Sequence, residues 1–207
     1  MTTLPTPDPG ALVDRHWSRC AGIAGILAIA SYIALIASSA PAPLAALLAF
    51  GFSFGFAVAS VALHLGVTSA VAPRLGLLGA IANTVAAGQL TAMLLVQMAV
   101  KAAVPHPGPA FTGIWLGLDV AWDLFGGVGT LLFALALWYH PRFRPVLPLL
   151  GVFVALLLLA LNIATFPTPP AAAGLVDVGP LVALWYVLLC VRILVLARVG
   201  HPPRASA

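Results

Sequence analysis

Six long apolar stretches constrain this chain more than any other feature of its sequence. Each is at least as long as the ~20 residues that a helix needs to cross the hydrocarbon core of a bilayer. Only 7% of the residues are charged, against roughly 25% in soluble domains, too few to cover a water-exposed surface. The sequence therefore predicts an all-α transmembrane bundle of six helices over residues 20–39, 44–66, 75–100, 113–138, 146–166 and 178–198.

The basic residues predict how this bundle is oriented. With the N-terminus inside, all eight arginines fall on the inner side and Lys101 alone falls on the outer side. Cytoplasmic loops carry an excess of Lys and Arg, so both termini are expected in the cytoplasm and the chain in the plasma (inner) membrane. The predicted parts are a cytoplasmic tail (1–19), the transmembrane domain (20–198) and a second tail (199–207). Bases scattered singly at helix ends do not indicate a nucleic-acid partner.

The first span has a second interpretation. Arg15 and Arg19 resemble the basic start of a signal peptide, and the small residues at 37–41 resemble a cleavage site. The polar segment before the first span is long and five further spans follow, which favours a first helix that is not cleaved off.

Span four, residues 113–138, is the most informative about function. It holds two acids, Asp119 and Asp123, which share an arc of about 100° with Trp115, Trp122 and Gly126 on a 3.6-residue helix. The opposite face is apolar. Because an acid at mid-membrane costs about 2.5–3.5 kcal/mol, this stripe predicts a polar pocket inside the bundle.

The pocket is expected to hold a catalytic pair and a set of binding residues. Asp123, the deeper acid, is expected to keep its proton in apolar surroundings, with Asp119 as its partner nearer water. Polar and aromatic side chains at similar depth are predicted to bind the substrate: Trp115, Trp122, Gln97, Asn162 and Trp185.

Each candidate also has a purely structural interpretation. Asp123 could be a protonated acid that only hydrogen-bonds between helices, and Asn162 and Gln97 could join helices in the same way. Asp177, three residues before Pro180, fits a cap of the sixth helix better than a catalytic role.

Motifs for metals and cofactors are missing from the sequence. There is no HExxH, CxxC, P-loop or GxGxxG, and the acids are spaced D-x-x-x-D rather than in the doubled clusters that hold magnesium on a diphosphate. No metal and no cofactor are predicted.

Two segments carry a resemblance to other proteins. The stretch LNIATFPTPPAAAGLVDVGPLVALWY (161–186), together with AWDLFGG (121–127), is similar to small six-span bacterial membrane proteins of unknown function. The resemblance covers the C-terminal half and implies a fold but no activity.

These observations support three functions. The first is a membrane-embedded cyclase or isomerase that uses carboxylic acid catalysis on a lipid-phase, isoprenoid-like substrate, with aromatic rings stabilising a cation. The second is a small proton-coupled transporter, and the third is an accessory membrane protein without catalysis. The bilayer and a lipid-phase small molecule are the expected partners.

Small residues at helical spacing indicate close helix contacts, within the bundle or in a homodimer. They form three faces: Ala21 with Gly25, Gly51 with Gly55, and Gly113 with Gly117 and Ala121.

Overall fold

A computed structural model describes residues 13–104, 106, 108–143 and 145–199 of the chain. All six of its α-helices are long and apolar enough to cross a membrane, which confirms the predicted fold class. The rest of the two predicted tails (1–12 and 200–207), with Arg204, and also Arg144 lie outside the described residues. The helices are α1 (Arg15–Ala37), α2 (Ala42–Leu63), α3 (Pro73–Ala103), α4 (Pro109–Trp138), α5 (Val146–Thr165) and α6 (Gly179–Val199).

Helix α1 begins five residues before the predicted start of span one, so residues 15–19 are helical. The reason is a cap: Asp14 Oδ1 accepts hydrogen bonds from the backbone N–H groups of His16 (2.9 Å) and Trp17 (3.1 Å). The Asp14 N–H also donates to the Gly66 carbonyl at 2.9 Å, in the π-helical segment His64–Thr68 that continues α2. This contact fastens the start of α1 to the end of the neighbouring span.

The helices form a closed ring. Each helix packs against the next one in the chain, and α6 packs back against α1. Glycines allow the closest approaches: a methyl group at Gly55 would lie 3.1 Å from Ala28 Cβ, and one at Gly25 would collide with Cys190 Sγ. Two of the three predicted small-residue faces are therefore used within the bundle.

The third small-residue face lies on α4 and points away from the ring. A side chain at Gly113 or Gly117 would meet open space, and the nearby Ile114 is exposed. At the start of α4, this face therefore remains free for lipid or for a homodimer contact, whereas Val120, also predicted on the apolar face opposite the acids, is buried in the bundle.

Candidate functional site

A cavity of about 910 Å³ lies inside the ring, lined by residues of all six helices and of the segment between α5 and α6. Its lining runs from Ala21 to Ile36 on α1 and from Gly179 to Ile193 on α6. At a rise of 1.5 Å per residue, these stretches make the cavity about 20 Å long. It is therefore an elongated space that covers much of the depth of a bilayer's hydrocarbon core.

One end of the cavity is polar, and we call it the acidic mouth. Tyr32, Gln97, Lys101, Asp119 and Asp177 line it. Asp177 is exposed, and its Oδ1 accepts a hydrogen bond from the Gly179 N–H (2.8 Å) at the first residue of α6. The acid thus makes a capping contact of the kind predicted for it, while its side chain still contributes negative charge to the mouth.

Asp123 lines the cavity one helical turn deeper than Asp119. Asn162 of α5 holds it: Asn162 Nδ2 donates to Asp123 Oδ2 at 3.0 Å and to the Leu158 carbonyl at 3.0 Å. Asn162 is fully buried, and its Oδ1 has no hydrogen-bond partner among the described residues. The amide therefore fixes one carboxyl oxygen of Asp123, and no hydrogen bond within the described residues holds the other.

Aromatic rings surround the cavity at the level of Asp123. The Trp122 ring packs edge-to-face against Phe52 and Phe56, with ring centroids 5.8 Å and 5.7 Å apart. Phe56 in turn meets Tyr186 at 5.1 Å. All four rings line the cavity, so the acid faces a space walled by π-systems and aliphatic side chains.

A second polar group, which we call the floor network, lies deeper in the bundle. The two N–H groups of buried Asn83 bond to Ser60 Oγ (3.0 Å) and to the Tyr186 hydroxyl (2.7 Å). The Thr130 hydroxyl lies 3.2 Å from the Tyr186 hydroxyl and donates to the Gly126 carbonyl at 2.7 Å. The floor network thus joins α2, α3, α4 and α6 beneath the aromatic rings.

The structure brings together most of the predicted site residues. Asp119, Asp123, Trp122 and Gln97 line the cavity, and Asn162 stands directly behind Asp123. Two predicted binding residues are placed elsewhere: Trp115 and Trp185 are outside the described lining of the cavity.

The reason is clearest for Trp185. It is fully buried, packs on Gly151, and its indole N–H donates to the Leu147 carbonyl at 2.8 Å. Trp115 is half-buried and packs against the hydrophobic core.

Sequence reasoning missed the floor network as a unit. Ser60, Thr130 and Tyr186 stand on three different helices, and no spacing within the chain connects them. Among the described residues, no three His, Cys or acidic side chains are grouped as a metal site would require.

These features define the class of the protein: an integral membrane bundle of six helices whose ring encloses an acidic, aromatic-walled cavity. The chain matches no family model, no curated protein and no solved structure. The similarity of residues 121–127 and 161–186 to small bacterial six-span proteins therefore stays an expectation.

Proposed function

We propose that this protein is a membrane-embedded acid catalyst that isomerises or cyclises an isoprenoid-like substrate taken from the lipid phase. One observation carries the proposal: Asp123 lines an elongated apolar cavity whose wall at that depth consists of Trp122, Phe52, Phe56 and Tyr186. Proton-initiated chemistry on a carbon–carbon double bond needs an acid to start it and aromatic rings to stabilise the cation that follows.

The reaction balances with one proton and no co-reactant. The Asp123 carboxylic acid transfers its proton to one carbon of a substrate double bond, which leaves a carboxylate and a tertiary carbocation. The electron-rich faces of Trp122 and its neighbours stabilise that cation. Loss of a proton from an adjacent carbon, directly or after ring closure, forms a new double bond and returns the proton to Asp123.

The other site residues have supporting roles in this proposal. Asn162 is a positioning residue, because it holds Oδ2 of Asp123 and leaves the second oxygen to carry the transferable proton. Asp119, nearer the mouth, exchanges that proton with water. Gln97 and Tyr32 bind the polar end of the substrate.

A proton-coupled carrier is the second candidate, and the floor network is the observation that favours it. A carrier needs polar groups at two depths, and Ser60, Asn83, Thr130 and Tyr186 supply a second polar layer below Asp123. In a carrier, protonation of Asp123 would drive transport without changing any carbon bond of the cargo.

Deuterium incorporation tests the catalytic proposal directly. Membranes that contain the protein are incubated in D₂O with geranylgeraniol, and the extracted lipids are examined by mass spectrometry. Catalysis places deuterium on carbon, because the Asp123 proton exchanges with solvent before it is transferred. A carrier leaves the substrate unlabelled.

Matched variants at residue 123 identify the acid. Asp123→Asn keeps the shape and can still pair with Asn162, so we expect a folded protein with at least about 100-fold slower incorporation. Asp123→Leu tests the structural role, since it also removes the bond to Asn162. Full activity in the Asn variant would overturn both the catalyst and the proton-carrier functions.

We also propose that the end of the bundle that bears Arg15, Arg19, Arg74 and Arg142 faces the cytoplasm of a bacterial inner membrane. The asymmetry of basic residues supports this orientation. In a variant without the native cysteines, single cysteines at exposed Ser39 and Val176 should react with a membrane-impermeant maleimide in intact cells. Cysteines at exposed Arg74 and Pro141 should react only after permeabilisation, and the reverse pattern would invert the topology.

A further inference from the structure

The rim of the cavity carries two chemically different sets of residues. Lys101 and Asp177 are charged, and both are exposed. Ile33, Ile36 and Leu184 are apolar; they line the cavity and are nevertheless 55%, 66% and 53% exposed. These three lie on helices that are long and apolar enough to span a membrane, where the surroundings of the bundle are lipid.

The apolar residues of the rim lie on α1 and α6, on both sides of the seam between these two helices. These helices touch closely at Gly22 and Gly25, where an added methyl group would collide with Leu194 and Cys190. Further along, residues of both helices line the cavity: Ile29, Tyr32, Ile33 and Ile36 of α1, and Ala183, Leu184 and Val187 of α6. The seam thus holds a close contact in one half, and both helices border the cavity in the other half.

The opposite end of the cavity is closed and mainly apolar, although Ser60 and Thr130 of the floor network also line the cavity. Ala21, Leu63 and Ile193 line it and are only 2%, 3% and 1% exposed. A molecule that fills the cavity therefore needs one polar end, for the acidic mouth, and an apolar body about 20 Å long.

We infer that a single-chain isoprenoid alcohol reaches the cavity sideways from the bilayer, between the cavity-lining halves of α1 and α6. Its chain lies toward Ala21, Leu63 and Ile193, and its hydroxyl group remains at the acidic mouth with Gln97 and Asp119. This inference deepens the proposed function by naming the substrate class and its route, and it rests on that function only for the chemistry that follows binding.

The position of Asp123 suits such a chain. It lies four residues deeper than Asp119, about 6 Å along the helix axis. With the hydroxyl at the mouth, Asp123 therefore faces the chain a few carbons below the polar end. Because geranylgeraniol has one double bond in each five-carbon unit, counted from the hydroxyl end, a double bond lies close to the depth of the acid.

Photocrosslinking tests the bound position. A geranylgeraniol analogue with a diazirine at the far end of its chain is added to the full-length protein in lipid nanodiscs, and labelled peptides are mapped by mass spectrometry. We expect labels on residues that line the closed end of the cavity: Ala21, Gly25, Ala59, Leu63, Cys190 and Ile193. An analogue with the diazirine beside the hydroxyl should label Gln97 or Lys101 instead. Labels confined to lipid-facing residues such as Ile23 would overturn the inference.

Bulky substitutions test the route. The double variant Ile33→Trp, Leu184→Trp narrows the route and should lose the labels at the closed end down to background. The matched control is Ile23→Trp, Val191→Trp, which alters equally lipid-exposed residues of α1 and α6 outside the cavity lining and should keep them. Size-exclusion profiles and melting temperatures verify that both variants are folded. Equal labelling of the two folded variants would exclude this route.

The two proposals fail in distinguishable ways. The Asp123→Asn variant should still be labelled at the closed end, because binding does not need the transferable proton. Labels at the expected residues without deuterium incorporation would refute the catalytic function and leave the inferred ligand and its position. Deuterium incorporation that is unaffected by tryptophans at 33 and 184 would refute the route and leave catalysis.

Discussion

The acidic part of the cavity and the floor network are both polar regions inside the membrane, but they differ in how their groups are bonded. In the floor network, Ser60, Asn83, Thr130 and Tyr186 are buried and linked by hydrogen bonds across four helices. In the acidic part, Asp123 has one side-chain partner, and Asp119 has no hydrogen bond among the described residues.

This difference separates two reasons for placing polar groups in a bilayer. A buried group whose hydrogen bonds reach other helices repays part of its desolvation cost and holds those helices together. Asn83 does so through its N–H groups, although its Oδ1 has no partner among the described residues and does not line the cavity. A half-buried group that lines a cavity with unused bonding capacity gains little for the fold, so its cost indicates a ligand. Polarity within a span is therefore a weaker indicator of function than a polar group that lines a cavity without a hydrogen-bond partner.

The largest expected effect comes from overfilling the floor network. In Gly129→Ala, the new methyl group would collide with the Asn83 amide, whose Cγ would lie 2.6 Å away. Such overpacking costs about 1–3 kcal/mol of unfolding free energy. Gly117→Ala, on the same helix but in open space, should leave stability unchanged or slightly raised. Unfolding in SDS measures both, and equal stability of the two variants would contradict the described packing.

A smaller effect is expected from removing either of two buried asparagines, Asn83 or Asn162. Asn83→Ala removes two interhelical hydrogen bonds, each about 0.6 kcal/mol on average in membrane proteins, and should lower the unfolding free energy by about 1 kcal/mol. The folded fraction should keep its rate of deuterium incorporation. Asn162→Ala should instead reduce that rate, because Asp123 loses its positioning bond. If only the Asn83 variant incorporated deuterium more slowly, the chemistry would belong to the floor network.

The smallest effect on stability is expected at Asp119. Because this side chain has no hydrogen-bond partner among the described residues, Asp119→Asn should change the unfolding free energy by less than about 0.5 kcal/mol. We expect its incorporation rate to fall less than that of Asp123→Asn, since water can still exchange the proton more slowly. Marked destabilisation would show that Asp119 belongs with the bonded, structural group.

The number of helices and the face that bears the acids could be predicted from the sequence, because both depend on local periodicity. The early start of α1 was missed although its cap is local, since Asp14 accepts from the N–H groups of His16 and Trp17 and an acid just before a helix is a recognisable cap. The bond from Asp14 to Gly66 could not be predicted, because only the folded ring brings these residues together. Trp185 shows the same limit. A tryptophan within a span suggests a residue that lines a ligand-binding site. The Trp185 indole N–H instead donates to the Leu147 carbonyl, an acceptor that sequence periodicity does not reveal.

The tight half of the seam between α1 and α6 determines which movement would widen the half that borders the cavity. Gly22 and Gly25 leave no room for a side chain against Leu194 and Cys190, so a tilt of α1 would have this close contact as its pivot. Ile33 lies eight residues beyond Gly25, about 12 Å along the axis of α1. A tilt of α1 by about 10° around the pivot would move Ile33 by about 2 Å with little change at the glycines. Small changes in the angle of α1 would therefore produce larger displacements at Ile33, and these would set the width between α1 and α6 that is available to a lipid chain.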